Sequence, residues 1–132
     1  MRLAPATPIG DLTEKKLERQ VVDLARACGW RRYHTYRSKH SAAGYPDETL
    51  VRERVIFLEL KTEMGSLSGA QRGWLGALLN AGAEAYLIRP RNLDALARVL
   101  AHRGDPWQAR GHVVAVASAL REELRHEIGE AA

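Results

Sequence analysis

Asp47-Glu48-Thr49-Leu50-Val51-Arg52-Glu53-Arg54-Val55-Ile56-Phe57-Leu58-Glu59-Leu60-Lys61 carries the clearest structural signal in the chain. It reads as a β-hairpin. Glu48 to Val51 forms one strand, Arg52-Glu53-Arg54 the charged turn, and Val55 to Lys61 a second strand rich in β-branched and aromatic residues. Side chains alternate across a strand, so Glu59 and Lys61 project from one face while Leu58 and Leu60 project from the other. Two charged groups on one face of an otherwise apolar strand are costly if that face is packed, unless they pair or hold something polar between them. Asp47 lies as far before Glu53 as Glu59 lies after it, which lets the two carboxylates meet across the ladder.

Towards the amino terminus, Asp11 followed by Glu14 resembles a capping box that opens a helix running to about Cys28. Leu17, Val21, Leu24 and Cys28 recur at helical spacing, Gly29 is the stop, and Glu14 and Glu18 share a face. From Arg31 to Gly44 the chain is basic and aromatic, with a short strand and then a Ser/Ala/Gly loop that ends at Gly44-Tyr45-Pro46-Asp47. Downstream, Ser68 with Gln71 forms a second capping box, opening a helix that carries Trp74, Leu75, Leu78 and Leu79 in the core and stops at Gly82. Ala85 to Ile88 reads as a short buried strand ended by Pro90; Asn92 then caps a helix through Leu96 and Leu100, and Gly104-Asp105-Pro106 breaks the chain. Val113, Val116, Leu120, Leu124 and Ile128 make one apolar stripe of a last helix, either packed on its own domain or forming a dimer seam. This order predicts an α/β fold: a mixed central β-sheet flanked by α-helices, with an extra C-terminal helix. The expected extent is a single domain over 1–132, with a core at about 11–102 and the last helix at about 111–129.

At 132 residues and 45% hydrophobic, the chain suits one domain with a real core rather than two domains. No run approaches the roughly 18 apolar residues of a membrane span, and Met1-Arg2-Leu3-Ala4-Pro5 lacks a secretory leader's apolar stretch, so a soluble, intracellular protein is expected. Twenty Lys+Arg against sixteen Asp+Glu give +4, which permits an anionic partner without identifying one. The single cysteine, Cys28, excludes an intrachain disulfide, and with His34 and His40 it is too sparse a set for zinc.

The oxygens of Asp47 and Glu59, converging with a backbone carbonyl, that of Leu60, suit a hard cation such as Mg²⁺. The Lys61 ammonium beside them can orient or help deprotonate a water on that cation, the minimum set for phosphodiester hydrolysis. Arg31, Arg32, Tyr33, His34, Tyr36, Arg37, Lys39 and His40 mix cations with rings, which suits contacts to phosphates and unstacked bases; the alternative is a solvated strand edge protected by charge.

Gly44-Tyr45-Pro46-Asp47, then Glu59-Leu60-Lys61, then Gly65-Ser66-Leu67-Ser68-Gly69-Ala70-Gln71 together resemble the PD-(D/E)xK nuclease signature in its VRR-NUC form, common in phage and bacterial proteins. That form has a helix-borne Glu, a G-x-P-D turn, an E-x-K strand and a downstream Gln on a helix. The resemblance covers about Thr13 to Pro90. It implies a restriction-endonuclease-like core and a DNA endonuclease dependent on Mg²⁺, with Mn²⁺ able to substitute. Asp47 and Glu59 would be metal ligands, Lys61 the residue near the attacking water, and Gln71 an auxiliary active-site side chain. Glu14 suits the VRR-NUC spacing back from Gly29, whereas Glu18 suits the related archaeal Holliday-junction resolvases, and both are retained. Structure-specific cutting of junctions or flaps, a homodimer, and a cytoplasmic location in a bacterial host cell belong to the same set of implications. Beside them stand plainer readings: a salt bridge for Glu59 and Lys61, a turn residue for Asp47, a helix cap for Gln71. At the level of the whole chain, the alternatives are a catalytically silent nucleic-acid-binding module and a dimerising module on this fold.

Overall fold

The computed structural model describes residues 12–36 and 42–129. The first helix, α1 (Glu14–Ala27), opens at Thr13, whose hydroxyl accepts from Lys16 N at 3.2 Å. Asp11, expected as the cap, lies outside the described residues. The chain continues through β1 (Arg31–His34), β2 (Glu48–Val51), β3 (Val55–Leu60), α2 (Gly69–Asn80), β4 (Glu84–Ile88), a 3-10 turn at Pro90–Asn92, α3 (Leu93–Ala101) and α4 (His112–Ile128). The four strands form one mixed sheet in the order β1-β2-β3-β4, antiparallel except for the parallel pair β3 and β4, which α2 connects as a crossover. Glu48 stands opposite Leu58 and Val51 opposite Val55, as the symmetric count about Glu53 requires.

Strand alternation splits the interior into two layers. Leu50, Ile56, Leu58 and Leu60 face α1 and α3, packing with Leu17, Val21, Leu96 and Leu100. The opposite face of β4, with Ala85 and Leu87, packs beneath Leu75 and Leu79 of α2. Helix α4 gives Ala117 and Leu120 to the first layer and Leu124 to the second, so it packs on its own domain. Val113, Val116 and Ile128 sit at the margin of its expected stripe, while Ala117 is fully buried. Among the described residues no helix is long and apolar enough to cross a membrane.

Two expectations need correction. Trp74 is not core: it is 37% exposed, because the buried stripe of α2 runs through Gln71, Leu75 and Leu79, and position 74 falls at its edge. Asn92 does not cap α3 through its side chain; its Oδ1 accepts from Arg89 N at 2.8 Å and closes the 3-10 turn instead.

The charged turn of the hairpin anchors the end of the sheet remote from Glu59 and Lys61. Arg52 donates to Cys28 O, Leu100 O and His102 O at 2.7, 2.9 and 2.6 Å, and Arg54 to His102 O and Val99 O at 2.9 and 3.0 Å. Both guanidinium groups stack on the Trp30 ring, 4.3 and 5.0 Å from its centroid. They give the carbonyls at the C-terminal end of α3 donors beyond those supplied by Trp30 Nε1 and His102 N. They hold the hairpin rigidly, so the residues at its other end inherit a fixed position.

Candidate functional site

Gly44 determines how the Gly44-Tyr45-Pro46-Asp47 turn meets α2. Its φ is +85°, a left-handed value, and a Cβ there would lie 2.3 Å from the Ala70 carbonyl carbon and 2.6 Å from Gln71 N. Only glycine fits, because both the backbone angle and the close approach exclude a side chain. The turn is thereby laid against the helix turn that carries Gln71.

Asp47 follows immediately, just before β2. Its carbonyl accepts from Thr35 N at 2.9 Å, and its carboxylate Oδ2 accepts from Leu60 N at 2.9 Å, taking the place of a ladder carbonyl. The carboxylate thus bonds the peptide unit that joins Glu59 to Leu60. An amide and carbonyl of one strand residue point to the same side, so the Leu60 carbonyl is also directed towards Asp47. Lys61 N donates to Ile88 O at 3.1 Å, extending the parallel pairing by one residue and holding the base of the lysine.

Glu59 is fully buried beneath α2, and its Oε1 accepts from Gln71 Nε2 at 3.0 Å. The other end of that amide, Gln71 Oε1, accepts from Ser68 N at 2.9 Å, while Ser68 Oγ accepts from Gln71 N at 3.1 Å. The capping box is formed, and the same side chain links it to Glu59. The two expected roles of Gln71 therefore do not compete.

Above these groups lies a cleft with two lobes. One, of about 430 Å³, is lined by Glu14, Glu18, His34, Asp47 and Leu60 among others; the second, of about 440 Å³, by Tyr45, Lys61, Ser68 and Gln71. Thr35, Tyr36 and Asp47 line both. The fold thus brings Glu14, Glu18 and Leu60 to one lobe and Lys61 and Gln71 to the other, with Asp47 in both and Glu59 bonded to Gln71. The donors Asp47, Glu59, the Leu60 carbonyl and a helix glutamate are all oxygens, the chemistry a hard cation such as Mg²⁺ takes.

Beside the first lobe is a second acidic group that the sequence reading missed. Glu48 is fully buried on the α1 face. Arg32 grips it in bidentate fashion, Nε to Oε2 at 2.7 Å and Nη2 to Oε1 at 2.6 Å, and His34 Nδ1 donates to Oε1 at 2.9 Å. Arg32 Nη2 also donates to Glu18 Oε1 at 2.5 Å. Glu48, and then Glu18, hold the Arg32 guanidinium above its already high ordinary value despite partial desolvation. Ligand atoms of Glu18, His34 and Glu48 all lie within 4.8 Å of one another, a spacing that could hold a metal ion. Arg32 already supplies positive charge to that cluster, and both Glu14 and Glu18 line the first lobe. The signal for Glu48 was in the sequence: it shares strand parity with Leu50, which makes it an acid on an apolar face.

Arg32 and His34, expected to meet phosphates, are therefore engaged with carboxylates, whereas Arg31, Tyr33 and Tyr36 are exposed. Arg37, Lys39 and His40 lie outside the described residues.

Arg89 was also missed. Only 3% exposed, it donates to Thr62 O at 2.5 Å, Gly65 O at 2.6 Å and Glu127 Oε1 at 2.9 Å, which fixes the loop leaving Lys61 against α4. Arg91 braces the same loop through both oxygens of Glu63; burial alone would raise that carboxyl, but the Arg91 contacts outweigh it and hold the group below its ordinary value. No local pattern marks Arg89, because its acceptors are mostly backbone carbonyls more than twenty residues away.

Comparison with protein-family models, with curated proteins and with solved structures finds no match to this chain.

Proposed function

We propose that the protein is a metal-dependent nuclease of the PD-(D/E)xK class on a restriction-endonuclease-like core, hydrolysing DNA phosphodiester bonds. The observation that carries this reading is the Asp47 carboxylate bonded to Leu60 N at the mouth of a cleft that also holds Lys61 and Gln71, with Glu59 tied to Gln71 below. Asp47, Glu59 and the Leu60 carbonyl would hold Mg²⁺, or Mn²⁺ in its place, with Glu14 facing them from α1. When bound, the ion supplies positive charge against the phosphate and makes water acidic enough to attack near neutral pH. Lys61 holds and orients the attacking water, and Gln71 keeps the Glu59 carboxylate from rotating away. Arg89 keeps the loop after Lys61 closed, and so positions the lysine without touching substrate.

The test is a cleavage assay on single-stranded, duplex, flapped and branched DNA with Mg²⁺, Mn²⁺ or EDTA. The expected result is cutting that needs the metal and is lost in Glu59→Gln and Lys61→Met. Absence of metal-dependent cutting on every substrate, with Glu59→Gln indistinguishable from the parent, refutes the proposal. A second reading, a catalytically silent nucleic-acid-binding module, is favoured by one observation: Asp47 Oδ2 and Glu59 Oε1 each already accept a hydrogen bond from the protein. It requires salt-sensitive DNA binding that needs no metal and survives Asp47→Ala.

A further inference from the structure

We infer that the sheet face on the α2 side, from Tyr33 across to Trp74, is a stacking track for unpaired nucleobases that leads a single strand into the cleft; the nature of the polymer rests on the nuclease reading above. Strand alternation puts Arg31 and Tyr33 of β1, Thr49 and Val51 of β2, and Val55 and Phe57 of β3 on this face. The register aligns Tyr33, Thr49 and Phe57 in one row and Arg31, Val51 and Val55 in the next. Helix α2 covers the β4 side only, so Tyr33 is 64% exposed, Val51 41% and Val55 43%.

The row of rings continues beyond the sheet. Tyr45 meets Phe57 edge-on at 6.4 Å and Trp74 at 5.0 Å, and Trp74 is itself partly exposed. Tyr45 also lines the cleft lobe that holds Lys61 and Gln71. Rings therefore recur at intervals from the open sheet face, through Phe57, Tyr45 and Trp74, to the lobe that holds Lys61 and Gln71.

Charge and chemistry select the occupant. Of the six outward sheet positions, Arg31 alone is charged, and it is a cation, so the face complements phosphate and repels no acid. Rings spaced along such a face suit bases, whose flat faces stack without regard to sequence; a duplex hides those faces, and only an unpaired strand offers them. A second copy of this chain is a poorer match. A stable partner interface covers roughly 800 Å² on each side, whereas the exposed apolar positions here are interrupted by Thr49 and Arg31.

The experiment uses the full chain in EDTA, so that no cleavage occurs, with a fluorescein-labelled oligo-dT of about 12 nucleotides and a hairpin duplex of similar length. Anisotropy and intrinsic tryptophan fluorescence are read together. Oligo-dT is expected to bind and quench the fluorescence, and Trp74→Phe to remove most of the quench. Trp74→Leu and Tyr33→Leu are each expected to weaken oligo-dT binding about 5- to 100-fold while changing duplex binding by less than about twofold. Tyr33 lies on an exposed edge, so its variant keeps the test valid if Trp74→Leu misfolds. Unchanged oligo-dT affinity in folded variants overturns the track, as does a dimer in sedimentation that these substitutions dissociate. If oligo-dT binding behaves as expected but no metal-dependent cleavage exists, the track stands and the nuclease reading fails. If cleavage is present and binding is insensitive to both substitutions, the track fails alone.

Discussion

Replacing Gly44 by alanine separates two costs that the structure superimposes at one residue. Holding an alanine at a φ of +85° costs about 1–2 kcal/mol. Its Cβ would also sit 2.3 Å from the Ala70 carbonyl carbon, and backbone cannot swing aside as a flexible side chain can, so an overpacking cost of about 1–3 kcal/mol is added. The reduced freedom of the unfolded chain offsets about 0.4–1 kcal/mol. The net loss is about 3 kcal/mol. Gly82 provides the control: its φ is +83°, but nothing lies within 4 Å of its would-be Cβ, so Gly82→Ala should cost only about 1 kcal/mol. Urea unfolding followed by far-UV circular dichroism, with the slope checked for constancy, measures both. The turn at Gly44 can relieve the clash only by moving off α2, which carries Asp47 away from Gln71. Gly44→Ala should therefore also lose far more metal-dependent cleavage than Gly82→Ala under conditions where both are folded. A cost for Gly44→Ala within about 0.5 kcal/mol of that for Gly82→Ala refutes the close approach.

Arg89→Met leaves the Thr62 and Gly65 carbonyls and Glu127 without their shared donor, and should lose about 3–5 kcal/mol in a urea titration; Arg89→Lys should recover little, since one ammonium cannot span the loop and α4 together. Ser68→Ala removes the cap at about 1 kcal/mol but spares the amide that reaches Glu59, whereas Gln71→Ala removes both. Equal cleavage rates in these two variants would show that Gln71 acts only through the helix. The Arg52 hydrogen bond holds the Glu53 carboxyl well below its ordinary value of 4.5. Because the folded value lies below the unfolded one, this contribution is present above pH 4.5 and is lost as the pH falls through the range beneath it. The stability difference between the parent and Glu53→Gln should therefore shrink between about pH 6 and pH 3 in urea midpoints, and a difference that grows instead would contradict the assigned sign.

The hairpin was legible because its signals are local. Alternation in Val55 to Leu60 and equal counts about Glu53 are enough to align Glu48 with Leu58, and the capping box of Ser68 and Gln71 lies within a single helix turn. The same period of two put Glu59 on the face opposite Leu58 and Leu60, and the structure buries it there. Glu48 could have been found by that rule, since it alternates with Leu50. Trp74 misled because an aromatic residue beside Leu75 fits a core stripe by composition, whereas burial depends on which degree of arc the sheet covers. The opening of α1 was misplaced for a related reason: two cap-forming residues, Asp11 and Thr13, lie two apart, and local chemistry permits either.

Strands, helices and the hairpin register could be read from neighbouring residues alone, as could the set of oxygen and amine groups that one end of the hairpin presents, because hydrogen-bond periodicity and capping act over a few positions. What those groups touch was settled by packing between distant segments. It set the Gly44 turn against α2, laid the Arg32 guanidinium on Glu48, and closed the loop after Lys61 with a buried arginine from beyond β4. Such contacts join segments distant along the chain. They are chosen by shape and by the high cost of leaving a buried charge or carbonyl unmatched, which no short window of sequence records.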